Sequence, residues 1–117
     1  ARLGADSGDA RGMHFYGMML YEGEGGPRNR VEGLRWLTRA AEKGLVHAQF
    51  NVARIYERGD EGVPINLGQA LQWYLIAARS GDAEAQEAAR RLQPQLSASA
   101  ARTAEARAAA FNIAPVS

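Results

Sequence analysis

Gly62-Val63-Pro64-Ile65-Asn66-Leu67-Gly68-Gln69-Ala70-Leu71-Gln72-Trp73-Tyr74-Leu75-Ile76-Ala77-Ala78-Arg79-Ser80-Gly81 reads as a loop, a capped helix and a glycine stop. Gly62 and Pro64 are turn residues. Asn66 is an N-cap, and Gly81 can close the helix in a left-handed turn. An earlier copy runs from Gly25 to Gly44. In it Pro27 matches Pro64, Asn29 matches Asn66, Leu34 matches Leu71, Trp36 matches Trp73, and Ala40-Ala41 matches Ala77-Ala78. Such self-similarity marks a repeat array. Gly8 to Gly44 spans 36 residues and Gly44 to Gly81 spans 37. The extra residue falls near Asp60, in a connector, where an insertion costs little.

Each copy of this helix (helix B) follows a partner, helix A. The first helix A covers 9–22, with Asp9 at its start to accept backbone N–H bonds. Tyr16, Met19 and Leu20 recur at helical spacing and are expected in the core. Gly17 should permit a close helix crossing, and Gly23 should end the helix. The connector 23–29 is rich in glycine, but no strand precedes it and no lysine follows, so it is a turn and not a phosphate cradle. Helix B covers 30–43, with Asn29 and Glu32 as a capping box that Asn66 and Gln69 repeat. Its expected buried stripe is Leu34, Trp36, Leu37, Ala40 and Ala41. In the second unit helix A covers 45–58, with Ala48, Val52, Ala53, Ile55 and Tyr56 as core, and helix B covers 67–80.

A third helix A begins at Asp82, but Arg90 replaces the small residues Gly17 and Ala53, and Pro94 arrives before any glycine connector. The repeat stops there. From Gln95 to Phe111 the chain is alanine-rich and favours helix. Leu96, Ala100, Ala104, Ala108 and Phe111 form one continuous face, which favours a cap over the end of the stack against a detached linker. The expected divisions are the end of an upstream repeat (1–7), a first repeat (8–43), a second (44–80), a half repeat (81–93), a capping helix (94–112) and a loose tail (113–117). Ala5-Asp6-Ser7-Gly8-Asp9-Ala10 lines up with Ala78-Arg79-Ser80-Gly81-Asp82-Ala83, and the chain begins Ala1-Arg2 without methionine. At least one further repeat is therefore expected upstream.

Composition removes several classes of function. Fourteen basic and thirteen acidic side chains leave a net charge of +1, so no strong field favours nucleic acid or an anionic membrane. No apolar run nears the roughly 18 residues that cross a bilayer, so direct membrane insertion is not expected of this stretch. With no cysteine, disulfides, thiolate chemistry and an imidazole–thiolate zinc site are excluded. The compartment stays open between periplasm and cytoplasm. His14 and His47 stand at different repeat positions, and no paired histidine or carboxylate cluster completes a metal site. They read as surface histidines. No nucleophile motif accompanies them, and no metal or cofactor is expected.

The period and its signature residues resemble the Sel-one-like repeat family, a relative of the tetratricopeptide repeats. Helix A carries Ala48-Gln49-Phe50-Asn51-Val52-Ala53-Arg54-Ile55-Tyr56, close to the family's Ala-x-x-x-Leu-Gly-x-x-Tyr. The connector carries Gly59, Gly62, Val63, Pro64 and Asn66, and helix B carries Ala70, Trp73, Tyr74, Ala77, Ala78 and Gly81. The departures, Gly12 for Ala48, Tyr16 for the family leucine, Leu20 for its tyrosine and Gly33 for Ala70, are compatible with the core. Physical reasoning converges on the same architecture, because each helix pair has more apolar face than it can bury alone. Stacked pairs form a curved solenoid with a concave surface. The expected fold is all-α, a right-handed α/α superhelix of antiparallel helix pairs with a C-terminal capping helix.

The resemblance implies that helix A lines the concave face and that members act as adaptors or scaffolds, many of them bacterial. Some members are described as hydrolases, but those are rich in cysteine, so this chain is expected to be non-enzymatic. Carrying the tetratricopeptide groove positions onto helix A selects Arg11, His14, Met18 and Tyr21, then His47, Phe50, Arg54 and Glu57, then Glu84, Glu87 and Arg91. Arginine and aromatic side chains are common anchors. Phe50 and Met18 suit either the groove or packing between helices, whereas Arg54 suits the groove. Trp36 and Trp73 share a repeat position and are assigned to packing, at about 3–5 kcal/mol each if buried. The expected function is a protein-interaction scaffold that holds a peptide or protein in the groove, as a monomer or in weak self-association. The alternative is a regulatory or sensory domain of a larger bacterial envelope or localisation protein, acting through inhibitor binding or self-association.

Overall fold

Asparagine caps and glycine stops divide the chain into helices of nearly uniform length. The computed structural model describes residues 9–23, 26 and 28–111. The stretches 1–7 and 113–117, to which an upstream repeat and a loose tail are assigned, lie outside the described residues, as does Pro27. Among the described residues the elements are α1 (Ala10–Glu22), α2 (Arg30–Glu42), α3 (Val46–Arg58), α4 (Leu67–Arg79), α5 (Ala83–Leu92), a short 3₁₀ turn (Gln93–Gln95) and α6 (Ala98–Ala110). No strand occurs among them. Each helix packs on the next from α1 to α5, and α6 packs on α4. The result is an all-α solenoid of antiparallel pairs, α1 with α2 and α3 with α4, followed by the half pair α5 and the cap α6.

The N-caps lie where the sequence places them. Asn29 and Asn66 accept from the backbone N–H of Glu32 and Gln69 at 3.0 and 3.1 Å. The reciprocal half of the expected capping box is not formed. The Asn29 N–H donates to the Leu20 carbonyl at 2.7 Å, and the Asn66 N–H to the Tyr56 carbonyl at 2.8 Å. The cap residue thus ties helix B back to helix A, and Glu32 is free to pair with Arg35. At the other end of α2, Gly44 has φ +98°. Its N–H donates to the Ala41 carbonyl and that of Leu45 to the Ala40 carbonyl, the paired bonds of a Schellman stop.

The core is a layer of small and branched side chains, including Leu37, Ala40, Ala48, Val52, Leu71, Ala77, Ala85 and Leu92, all fully buried. Gly17 and Gly33 face each other where α1 crosses α2. A Cβ on Gly33 would lie 2.7 Å from the Tyr21 backbone nitrogen, so only glycine fits this crossing without movement.

Four core assignments need correction. On α1, Met13 is buried, whereas Tyr16, Met19 and Leu20 are only half-buried. Among the described elements helix α1 packs chiefly on α2 and meets α3 more sparsely, as through His14 and Asn51. Trp36 is half-buried while its repeat partner Trp73 is 5% exposed. Trp36 meets the Tyr16 ring edge-on and lies under Arg39, whereas Trp73 is roofed by Phe111 beyond the cap. Ile55 and Tyr56 are half-buried, and Gln49 is fully buried in their place, donating to the Ala41 carbonyl at 3.1 Å. Finally, α6 starts at Ala98, where the Ser97 hydroxyl accepts from the Ala100 N–H. Leu96 therefore precedes the helix, and the buried face is Ala101, Ala104 and Ala108 rather than Ala100.

Candidate functional site

The helix A members α1, α3 and α5 pack chiefly on helix B elements, and clefts bridged by side chains open between them. The cleft between α1 and α3 holds about 230 Å³ and is lined by Met18, Tyr21, Glu22, Asn51, Arg54, Ile55, Arg58, Gly59 and Asp60. The cleft between α3 and α5 holds about 500 Å³ and is lined by Phe50, Arg54, Glu57, Arg58, Tyr74, Glu84, Glu87, Ala88 and Arg91. Arg54 and Arg58, one helical turn apart on α3, belong to both and form the ridge between them.

Of the groove positions read from the sequence, Met18, Tyr21 and Arg54 line the first cleft, and Phe50, Arg54, Glu57, Glu84, Glu87 and Arg91 the second. Arg11, His14 and His47 line neither. Phe50 serves both of its alternatives: it packs edge-on against Tyr74 at 5.5 Å between ring centroids and also faces the second cleft. Met18 likewise packs on the core and lines the first cleft. Arg54 is exposed, with its guanidinium 5.9 Å from the Phe50 ring centroid.

Two polar clusters tie successive repeats together beneath this face. In the first, the Tyr21 hydroxyl donates to Asp60 Oδ2 at 2.6 Å, and Arg30 Nε stands 3.4 Å from the same oxygen. Arg30 also donates to the Tyr21 carbonyl and lies over the Tyr21 ring. Burial, and after it the bond to Asp60, pushes the Tyr21 hydroxyl up to about 12. Asp60, in the second connector near the extra residue, is therefore engaged with the preceding repeat. In the second cluster Arg91 donates through both terminal nitrogens to the Glu57 carboxylate, at 2.5 and 3.2 Å. The buried Tyr74 donates its hydroxyl to Glu57 Oε1 at 2.7 Å. The Arg91 bond is the main reason the Glu57 carboxyl titrates below the usual glutamate range. Glu57 and Arg91 are thus spent largely on each other.

His14 is half-buried, with Nε2 3.0 Å from the Asn51 amide nitrogen. If that amide donates, Nε2 must be the unprotonated nitrogen. Burial first, and His47 second, hold the His14 pKa below its ordinary value. No group of three or more histidine and acidic side chains suited to a metal exists among the described residues. Sequence reasoning missed Arg58 and Gln49. The signal for Arg58 was its place one turn beyond Arg54. The signal for Gln49 was Gln86 at the same repeat position, which donates to the Ala78 carbonyl as Gln49 does to Ala41.

Stacked antiparallel helix pairs with open clefts along one helix layer define the class of repeat solenoids with a groove. Within it, the chain belongs to the Sel1 repeat family, whose model matches residues 10–45 and 46–82. Over 56 residues it is 39% identical to the chitin synthase regulator SKT5 of Malassezia restricta. Over 55 residues it is 42% identical to chitin synthase regulatory factor 3 of Schizosaccharomyces pombe. These matches take in 48% and 47% of this chain but only 4% and 6% of those regulators. Among solved structures, a Sel1 repeat protein from Oxalobacter formigenes superposes with a TM-score of 0.70 at 31% identity, over 93% of this chain and 85% of that one. A protective antigen present in uropathogenic Escherichia coli strains, displaying an SLR fold, superposes with a TM-score of 0.73 at 31% identity, over 91% of this chain and 24% of that one. Folds of this family are typically non-enzymatic scaffolds that bind proteins.

Proposed function

We propose that this chain is a non-catalytic interaction scaffold that holds a peptide or protein segment along the face formed by α1, α3 and α5. The observation that carries this reading is the pair of clefts sharing the exposed Arg54–Arg58 ridge. Met18, Phe50, Arg54, Glu84 and Glu87 would touch the partner. Tyr21, Glu57 and Arg91 would shape the floor, and Arg11, His14 and His47 would meet only a longer partner. A second reading, a regulatory repeat segment of a larger protein that binds an inhibitor or another copy, is favoured by the two fungal relatives, both named as regulators.

Affinity capture from lysate of the source organism, with the wild type and with Phe50→Ala/Arg54→Glu matched by circular dichroism, tests the groove. A protein retained by the wild type and lost with the variant is the expected result. The same protein on both would place the contact elsewhere. Arg54→Glu alone should weaken binding while the melting temperature stays within a few degrees, because exposed substitutions rarely move stability by more than about 0.5 kcal/mol. A wild-type mass that rises with concentration in sedimentation equilibrium would favour the regulatory reading through self-association.

A further inference from the structure

The larger cleft carries charges that stand outside the ion pairs of the fold, Arg54 meeting only the Phe50 ring among the described residues. Glu57 and Arg91 close on each other at its floor. The other charges are sorted by wall. Arg54 and Arg58 stand exposed on α3, and Glu84 and Glu87 stand exposed on α5. None of the four makes an ion pair among the described residues. Across the ridge the smaller cleft has an apolar floor of Met18 and Ile55, both packed against the core; of the two acids that also line it, Asp60 is engaged by Tyr21 and Arg30, and Glu22 stands exposed at the last residue of α1. The surface therefore presents a recess with an apolar floor, a basic ridge and, on α5, a wall with two unpaired acids, in that order. Like charges one turn apart repel, so a carboxylate seated between Arg54 and Arg58 gains from both, and the guanidinium fork suits it. A long polyanion does not fit this order, since it would run from the ridge onto Glu84 and Glu87.

We infer that the occupant is an extended peptide carrying, in sequence along its length, an apolar side chain for the smaller cleft, an acidic side chain for the Arg54–Arg58 ridge and a basic side chain for Glu84 and Glu87. This rests on the groove reading and narrows its partner by charge complementarity.

The test is selection from a random twelve-residue peptide display library on the whole chain. The selected peptides are then titrated by fluorescence polarisation against the wild type, Arg54→Glu/Arg58→Glu, Glu84→Lys/Glu87→Lys and Met18→Ala/Phe50→Ala. Selected peptides should place an acidic residue between an apolar and a basic one. The arginine swap should weaken them about tenfold, as expected for the loss of two solvent-reached charge contacts. Replacing the peptide's acid by lysine should restore binding to the swapped chain. Should a charge swap lower helicity, Arg54→Gln/Arg58→Gln reads the same contrast. Peptides that respond to Met18→Ala/Phe50→Ala but ignore both charge swaps would overturn the charge order and leave the groove standing. Failure to select any peptide, or binding indifferent to every variant, would overturn both.

Discussion

Trp36 and Trp73 hold the same position in two copies of one repeat, yet their surroundings differ. Trp73 is buried under the edge of Phe111, whereas Trp36 is half-buried between Tyr16 and Arg39. The repeat register made both legible as packing residues. It did not show that Phe111 roofs Trp73, because that residue follows α6 and lies outside the repeat. Trp73→Ala should cost about 3–5 kcal/mol, the range for a buried large aromatic. Trp36→Ala should cost clearly less, since part of its surface is wet before the change. Urea unfolding of the two variants checks this, and equal losses would mean that Phe111 contributes nothing to Trp73. The polar pairings were the least legible features. Tyr21 with Asp60 and Glu57 with Arg91 join side chains on different repeats. Helical spacing puts each residue on a face, but it says nothing about which rotamers meet across the gap.

At the level of elements, caps and stops were readable to within a residue or two, because they are local chemistry. The asparagine caps, Asp82 at α5 and the glycine ends need only the residues beside them. The start of α6 was misplaced for the same kind of reason: Ser97 is an N-cap, and reading the alanine run as one helix from Gln95 passed over it. Only the first alanine of the buried face differs, Ala101 in place of Ala100, while Ala104 and Ala108 are buried as expected. The α1–α2 crossing gives a prediction of opposite signs. Gly33→Ala must push apart two backbones, with contacts of 2.7 and 2.8 Å to Tyr21 N and Gly17 O. It should lose about 1–3 kcal/mol as an overpacking change. On α4, a Cβ at Gly68 would meet nothing nearer than Asn66 Oδ1 at 3.5 Å. Gly68→Ala should therefore gain up to about 1 kcal/mol from helix propensity. Thermal melts showing both variants shifted in the same direction would remove the crossing argument.

The stack as a whole depends on contacts from each pair to the next, and one of these is titratable. Glu57 on α3 holds Arg91 on α5 and takes a hydrogen bond from the buried Tyr74 on α4, so one carboxylate ties three helices together. The Arg91 bond, with the smaller Tyr74 bond, holds its pKa below the ordinary glutamate value of 4.5 despite partial burial, which acts the other way. The folded chain then binds fewer protons at this site than the unfolded chain does, and stability rises with pH through that interval. The contribution is complete above the unfolded value and is lost as the pH falls through the folded one. Glu57→Gln keeps an acceptor for Tyr74 but removes the charge, so it should cost about 1 kcal/mol at neutral pH, the upper end for a solvent-reached pair. The measurement is urea unfolding of wild type and variant from neutral pH down to about pH 3, below the ordinary carboxylate range. Other carboxylates titrate in both proteins, so the difference between them isolates this one. That difference should hold steady at neutral pH and shrink as the acid limb is entered. A difference that stays constant to the lowest pH would show that the three helices are held by packing alone.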